Sequence, residues 1–202
     1  MGIYATKGKW QRGLEPVVAV CVRNRIHPDI FTYGALGLSV TAGYALYAAG
    51  SNRAWLWVVT PCVLVRLVLN LMDGLVAREL KLASTWGEVK NEFGDRLADA
   101  AIFLGLCFAG YADARLAALA IVLILCVSYL GILGKAIGGA RVYGGVFGKG
   151  DRMIALALFT LYPIVTGNLG SYNAFLIGAA VAALVTIIQR LKVIHEHTQS
   201  VG

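Results

Sequence analysis

Six long runs of apolar residues, separated by polar segments, dominate the chain. They cover approximately residues 30–49, 55–72, 91–111, 116–133, 153–165 and 172–191. About 20 apolar residues in a helix cross the hydrocarbon core of a bilayer, and a helix satisfies its own backbone polar groups in lipid. The pattern therefore predicts an all-α integral membrane protein with six transmembrane helices.

The segment before the first run has a different pattern. Residues 9–26 mix Trp, Leu, Val and Ile with Lys and Arg, which makes them too polar to span a membrane. This predicts an amphipathic helix at the membrane interface, either bent at Pro16 or divided there into two short helices. His27-Pro28 marks the boundary to the first span. We expect an amphipathic segment over residues 1–27, a six-helix domain over 28–193 and a cytoplasmic tail over 194–202.

Composition and charge agree with this assignment. The chain is 58% hydrophobic and 14% charged, with a mean hydropathy of +0.72, which excludes a soluble globular domain. Lys and Arg number five before the first span, then one, four, one, four, none and two in the successive flanks. This alternation predicts a multi-pass protein with both termini cytoplasmic, and we expect it in a bacterial inner or plasma membrane. The net charge of +7 therefore does not indicate a nucleic-acid partner.

One polar stretch interrupts the apolar pattern, at the predicted cytoplasmic side between the second and third runs. It carries aspartates and asparagines at helical spacing: Asn70, Asp73, Asn91, Asp95 and Asp99. At 100° per residue, the first two share one stripe of the second helix and the last three climb one face of the third. Ionisable groups within membrane helices are costly and indicate function.

These side chains predict a metal-dependent enzyme. Oxygen donors converging from two helices suit Mg²⁺ or Mn²⁺, and the expected ligands are Asn70, Asp73, Asn91, Asp95 and Asp99. Such an ion neutralises a diphosphate, while a spare carboxylate takes the proton from an attacking hydroxyl. The stretch therefore favours transfer of a phosphoryl-linked group.

The same stretch resembles the signature of the CDP-alcohol phosphatidyltransferase family, D-x2-D-G-x2-A-R-x8-G-x3-D-x3-D. Asp73-Gly74, Ala77-Arg78, Gly87 and Asp95 match at the required spacing, and Asn70 and Asn91 stand at the first and third aspartate positions. The opening of the first span, residues 27–32, is similar to the family's Pro-Asn-x-x-Thr.

The resemblance implies a six-helix membrane enzyme, usually a homodimer, that transfers the lipid-phosphate part of a CDP-linked lipid to an alcohol and releases CMP. Carried over by position, it implies that Asp73 is a metal ligand, that Gly74, Ala77, Arg78 and Gly87 line the nucleotide or donor side, and that Asp95 is the general base. Asn70 is expected beside both the ion and the nucleotide.

The two asparagines change the charge of this site. Asn keeps a carbonyl oxygen but loses the negative charge, which lowers the attraction for a cation. Asp99, one turn beyond Asp95, is expected to restore a charge and to act with Asp95 in metal binding and catalysis.

Basic residues supply candidates for acceptor binding. A glycine-rich loop over residues 135–152 carries Lys135, Arg141, Lys149 and Arg152. We expect a flexible segment that holds a phosphorylated acceptor or a lipid head group; the alternative is a loop whose charge only sets topology. Arg66, inside the second run, either pairs with an aspartate, Asp73 or Asp99, or meets a substrate phosphate.

The favoured function is transfer of a phosphatidyl group from CDP-diacylglycerol to a small polyol or polyol phosphate. One alternative is a phosphotransferase that uses a soluble CDP-aminoalcohol and a lipid alcohol. The other is a catalytically silent CDP-lipid-binding membrane protein, because of Asn70 and Asn91. A transporter is disfavoured, since the polar cluster lies at one face without a broken helix at the midplane.

Overall fold

The computed structural model describes residues 7–201, with side chains for residues 13–199. The regular elements of this part of the chain are helices, joined by short loops. They are α1 (Lys7–Arg23), α2 (Asp29–Ala48), α3 (Leu56–Glu79), α4 (Thr85–Cys107), α5 (Ala114–Ala136), α6 (Lys149–Thr166) and α7 (Tyr172–Val201). The architecture is all-α, as the apolar pattern predicts.

Three segments within this part of the chain are long and apolar enough to cross a membrane. They are Arg53–Glu79, Ala114–Ala136 and Leu169–Gln199, which correspond to α3, α5 and α7. The chain is therefore a helical membrane protein. The other three predicted spans form α2, α4 and α6; that these helices also cross the membrane stays a prediction.

The N-terminal segment forms one helix. α1 continues through Pro16, so the alternative of two short helices is wrong. Val18 and Cys21 of α1 pack in a small apolar cluster with Phe31 of α2 and Met72 of α3. Its position at the membrane interface stays a prediction.

Two boundaries differ from the expected ones. The third helix begins at Thr85 rather than near residue 91, because the Ser84 side chain accepts a hydrogen bond from the Gly87 amide at 3.1 Å and caps the helix. Residues 80–84 alone therefore join α3 to α4. The last helix continues to Val201, so the expected tail from residue 194 is helical as far as that residue.

α2 lies between α3 and α4 and touches the α4 backbone directly. A Cβ added at Gly43 would lie 2.2 Å from the Ala101 carbonyl oxygen, and one added at Gly105 would lie 2.1 Å from the Gly43 carbonyl oxygen. Glycines thus allow a backbone contact between the helices. At Gly37, by contrast, an added Cβ would meet no atom of the described residues within 4 Å.

The main apolar core includes the first turns of α3 and the last turns of α4, and it extends along α5, α6 and α7. Buried there are Leu56 and Val59 of α3, Phe103 and Leu106 of α4, and Phe175 of α7. α5 packs against α7, and α6 against α3. The opposite end of the bundle, where α3 ends and α4 and α6 begin, is left for polar side chains.

Candidate active site

Three aspartates are buried at this polar end of the bundle. Asp73 lies near the end of α3, and Asp95 and Asp99 lie in α4; their residues are 5%, 7% and 1% exposed. α3 and α4 each pack along α2, so their predicted polar stripes do approach each other. Each carboxylate has different partners.

Asp73 accepts hydrogen bonds from neutral groups. Its Oδ2 accepts from the Thr32 hydroxyl of α2 at 3.4 Å, and its Oδ1 accepts from the Gly74 amide at 2.5 Å. Lys149 and Asp95 are its charged neighbours. Among the described side chains, no cation lies within ion-pair distance of Asp73. This carboxylate therefore has no direct cationic partner among the described side chains.

Asp95 is paired with a lysine. Lys149 Nζ donates to Asp95 Oδ1, and Arg96 Nη2 lies 3.8 Å from Oδ2. Lys149 is the first residue of α6 and precedes Met153, where the predicted span begins. Burial lowers the pKa of the Lys149 ammonium, and the adjacent Asp95 carboxylate opposes this shift.

Asp99 lies between two arginines. Arg66 Nη2 of α3 donates to Asp99 Oδ1 at 2.8 Å, and Arg152 Nη2 of α6 donates to Oδ2. All three side chains are at most 1% exposed. Of the alternatives for Arg66, the ion pair with Asp99 is the one observed. Both oxygens of Asp99 already accept hydrogen bonds, and its metal-binding and catalytic roles stay predictions.

Asn70 and Asn91 each present a buried amide atom that has no hydrogen-bond partner. The atoms are Asn70 Nδ2 and Asn91 Oδ1. Each asparagine lies about one helical turn from an aspartate, Asp73 in α3 or Asp95 in α4. Buried polar atoms without partners are uncommon and indicate a ligand that satisfies them.

The two glycines of the predicted nucleotide side have different surroundings. A Cβ added at Gly74 would meet only Arg78 Nη1, at 3.9 Å, so protein packing does not require a glycine there. A Cβ at Gly87 would lie 3.2 Å from Ser84 Oγ, the cap of α4. Gly74 thus leaves open space beside Ala77 and Arg78, whereas the small size of Gly87 has a local structural reason.

A pocket lined by positive side chains, the basic pocket, adjoins the carboxylates. It is lined by Arg96, Val127, Ser128, Arg141, Val142, Tyr143, Lys149, Arg152 and Arg190. Three predicted acceptor residues, Arg141, Lys149 and Arg152, are thus brought together. Lys135 does not line the pocket and pairs with Glu88 at 2.5 Å, and Arg66 lies behind Asp99.

The glycine-rich loop is packed against the bundle. This corrects the expectation that the segment is flexible. Arg190 of α7 donates from Nη1 to Val127 O at 2.6 Å, from Nε to Gly144 O at 2.9 Å and from Nη2 to Tyr143 O at 3.2 Å. The Phe147 amide donates to Thr186 Oγ1 at 2.9 Å. Because backbone carbonyls hold the guanidinium, Arg190 connects the loop to α5 and α7.

Sequence reasoning missed Arg190 and a second residue, Glu92. Glu92 Oε1 accepts from Arg141, and Arg96 Nη2 lies 3.5 Å from Oε2. Glu92 thus places a negative charge beside two cations of the basic pocket. The sequence signal was its position next to Asn91 in the polar stretch.

Comparison with known proteins places the chain in a family. A sequence model described as CDP-alcohol phosphatidyltransferase matches residues 25–190. The inner membrane protein YnbA of Escherichia coli is 30% identical, with 95% of this chain and 96% of that protein covered. Phosphatidylinositol phosphate synthase of Cutibacterium acnes is 26% identical, with 95% and 96% covered.

Solved structures share the fold. Phosphatidylinositol phosphate synthase of Mycobacterium tuberculosis, in complex with manganese and citrate, aligns with a TM-score of 0.72 at 24% identity over 89% of this chain and 87% of that one. The same protein with CDP-DAG bound gives a TM-score of 0.71 at 23% identity, covering 89% and 92%. At this identity the likeness establishes a common helical fold.

Proposed function

The chain belongs to the CDP-alcohol phosphatidyltransferase family, and from this premise we propose that it transfers the phosphatidyl group of CDP-diacylglycerol to a phosphorylated polyol and releases CMP. The family makes the chain a phosphatidyltransferase of phospholipid biosynthesis. The choice of donor is supported by a structural neighbour solved with CDP-DAG. The choice of acceptor is supported by relatives named phosphatidylinositol phosphate synthase and by the basic pocket.

The observation that carries the proposal is the position of Lys149. Its ammonium contacts Asp95 on one side and lines the basic pocket on the other. The pocket has a volume of only about 20 Å³, so a phosphate binds as its lining side chains move apart, and this brings the rest of the acceptor next to Asp95. A hydroxyl on the same molecule is then within reach of the carboxylate that the family motif assigns as the base.

The residues divide the reaction between them. Arg152 and Arg141 hold the acceptor phosphate, for which guanidinium geometry is well suited. Asp95 accepts the proton of the acceptor hydroxyl, and the hydroxyl oxygen of the acceptor bonds to the phosphorus of the phosphatidyl group. The bond from that phosphorus to the CMP oxygen breaks, and CMP leaves. Because Gly74 has no side chain, the cytidine part of the donor has room to lie against the α3 backbone.

A divalent cation, Mg²⁺ or Mn²⁺, fits the polar end of α3 and α4. Asp73 supplies a carboxylate without a cationic partner, and Asn70 and Asn91 carry buried amide atoms that lack hydrogen bonds. Carboxylate and amide oxygens are ligands for hard cations. When bound, the ion neutralises the diphosphate of the donor and the departing CMP. We also propose that the site opens to the cytoplasm and that the protein is a homodimer.

The basic pocket argues against the aminoalcohol alternative. An aminoalcohol carries an ammonium group, and like charges in a partly buried site repel. The pocket is lined by five cations, Arg96, Arg141, Lys149, Arg152 and Arg190. An anionic acceptor is therefore favoured over a cationic substrate.

Release of radiolabelled CMP from CDP-diacylglycerol in mixed micelles tests the proposal. Inositol phosphate and glycerol phosphate are compared with inositol, glycerol and choline, each with Mg²⁺ or Mn²⁺. We expect release only with phosphorylated acceptors. Release with choline alone would overturn the assignment of the acceptor, and no release with any acceptor would favour the silent lipid-binding protein.

The variant Arg152→Gln tests the role of the pocket. A hydrogen bond to a charged group contributes about 1.5–3 kcal/mol, so we expect the acceptor KM to rise at least about tenfold while the KM for CDP-diacylglycerol is unchanged. The substitution leaves Asp99 paired with Arg66, so the bundle keeps a balanced ion pair. Arg115→Gln, an exposed site in the first turn of α5, is the matched control. Equal rises in both KM values would contradict the acceptor role.

A further inference from the structure

The charges around Asp73 and Asp95 limit what this site can bind. Four carboxylates, Asp73, Asp95, Asp99 and Glu92, surround the candidate site, and protein cations contact the last three. Asp99 is held by Arg66 and Arg152, Glu92 by Arg141 and Arg96, and Asp95 by Lys149. Asp73 has only hydrogen bonds from Thr32 and Gly74. A metal cation would thus bind the Asp73 carboxylate without displacing a protein cation.

The remaining oxygen donors are neutral. Asn70 and Asn91 stand one helical turn from Asp73 and Asp95, each with a buried amide atom that has no partner. The O and N atoms of an amide are assigned from the hydrogen-bond network, so either side chain can present its oxygen. Among the residues that the structure describes, no three His, Cys, Asp or Glu side chains are grouped to hold a metal ion. A cation at Asp73 would therefore take amide oxygens, rather than further carboxylates, as its other protein ligands.

The Lys149 ammonium lies against the carboxylate of Asp95 and donates to its Oδ1. It carries a positive charge and three hydrogen-bond donors, and it is held at the first residue of α6. Asp73 and Asp95 together carry two negative charges, and Lys149 cancels one of them. Counting Asp73, Asp95 and Lys149 alone, one divalent cation brings these groups to a net charge of +1, which suits an anionic diphosphate. A second divalent ion would add two more positive charges in a buried site, where uncompensated charge is strongly unfavourable.

We propose that this protein binds a single divalent cation, with Asp73, Asn70 and Asn91 as its ligands, and that Lys149 supplies beside Asp95 the positive charge of a second ion. The inference rests on the proposed use of a cation and a CDP-linked donor. It assigns Lys149 two contacts, one with Asp95 and one with the acceptor pocket. It also explains how two neutral asparagines at aspartate positions of the motif are compatible with a working site.

Counting bound Mn²⁺ tests this inference without turnover. The unmodified protein in nanodiscs is titrated with Mn²⁺ in the presence of CDP-diacylglycerol, and free Mn²⁺ is measured by electron paramagnetic resonance. We expect one Mn²⁺ per chain and no spectrum of two coupled ions. Two ions per chain in the unmodified protein would overturn the proposal, as would no bound ion.

Two variants make the test sharper. The triple variant Asn70→Asp, Asn91→Asp, Lys149→Met restores two carboxylates and removes the competing ammonium, so we expect it to bind two Mn²⁺ ions. Asn24→Asp, at an exposed position outside the site, is the matched control and should bind one. A triple variant that folds, by its melting temperature, and still binds one ion would contradict the charge argument.

The outcome is separable from the proposed function. One bound Mn²⁺ together with no CMP release for any acceptor would overturn the proposed function and leave the ion count intact. Two bound ions together with normal CMP release would overturn only the present inference.

Discussion

Asp99→Asn is the substitution with the largest expected effect on stability. Among the described side chains, Asp99 is the only carboxylate in ion-pair contact with Arg66 and Arg152, and these three side chains are at most 1% exposed. Asparagine has nearly the same shape, but it removes the negative charge and turns an NH₂ group towards one of the two guanidiniums, which are also donors. Two buried positive charges are then left without a counter-charge.

The magnitude follows from the burial of the group. Removing one partner of a buried ion pair destabilises a protein by about 3–5 kcal/mol, because an uncompensated charge stays in a medium of low dielectric constant. Here two cations lose one shared anion, so we expect the upper part of that range. Arg66→Met should cost less than half as much, since Asp99 and Arg152 remain as a balanced pair.

Unfolding by SDS titration in mixed micelles, followed by circular dichroism, measures these free energies. Asp29→Asn is the matched control: Asp29 pairs with Lys90 and its side chain is 31% exposed, so its loss should cost about 0–1 kcal/mol. If Asp99→Asn lies within about 1 kcal/mol of the unmodified protein, the buried-charge reasoning is refuted. If Arg66→Met lowers the free energy of unfolding as much as Asp99→Asn does, charge balance among Arg66, Asp99 and Arg152 is not what stabilises this part of the bundle.

Two further predictions concern glycines. Gly105→Ala should lower the melting temperature clearly, because its Cβ would lie 2.1 Å from the Gly43 carbonyl oxygen, whereas Gly37→Ala, with no atom within 4 Å, should not lower it; equal melting temperatures would contradict the close contact of α2 and α4. Gly74→Ala should leave the melting temperature unchanged without ligand, since the added Cβ meets only Arg78 Nη1 at 3.9 Å, but should abolish the rise that CDP-diacylglycerol causes by binding the folded state. A full rise in this variant would show that the donor does not approach Gly74.

The sequence predicts the helices well because the bilayer constrains them strongly. Five of the six apolar runs begin within a few residues of an observed helix, and the fold class follows from length and hydropathy. The start of α4 is missed, because Ser84 caps it through a local hydrogen bond that hydropathy does not report. The end of α7 is missed because a polar helical extension has no apolar pattern.

The candidate site is predicted less completely. Spacing along one helix groups Asn70 with Asp73, and Asn91 with Asp95, and these groups lie at the same end of the bundle. Pairings between distant segments are not encoded by spacing: Lys149 with Asp95, Arg141 with Glu92, and Arg190 with the loop carbonyls. These contacts depend on how α6, α7 and the loop pack, so only the structure reveals them.

The backbone contact between Gly43 and Gly105 has a consequence at a distance. The crossing fixes the relative position of α2 and α4 at one point, and at 1.5 Å per residue it lies about 21 Å from Asn91 along α4. A tilt of about 5° at the crossing would shift Asn91 by about 2 Å, and displacements of about 1 Å already reduce catalysis substantially. A small rotation at the crossing therefore produces a larger displacement at the polar end of α4. The separation of α2 and α4 at the polar end is therefore set at the far end of the bundle, by Gly43 and Gly105.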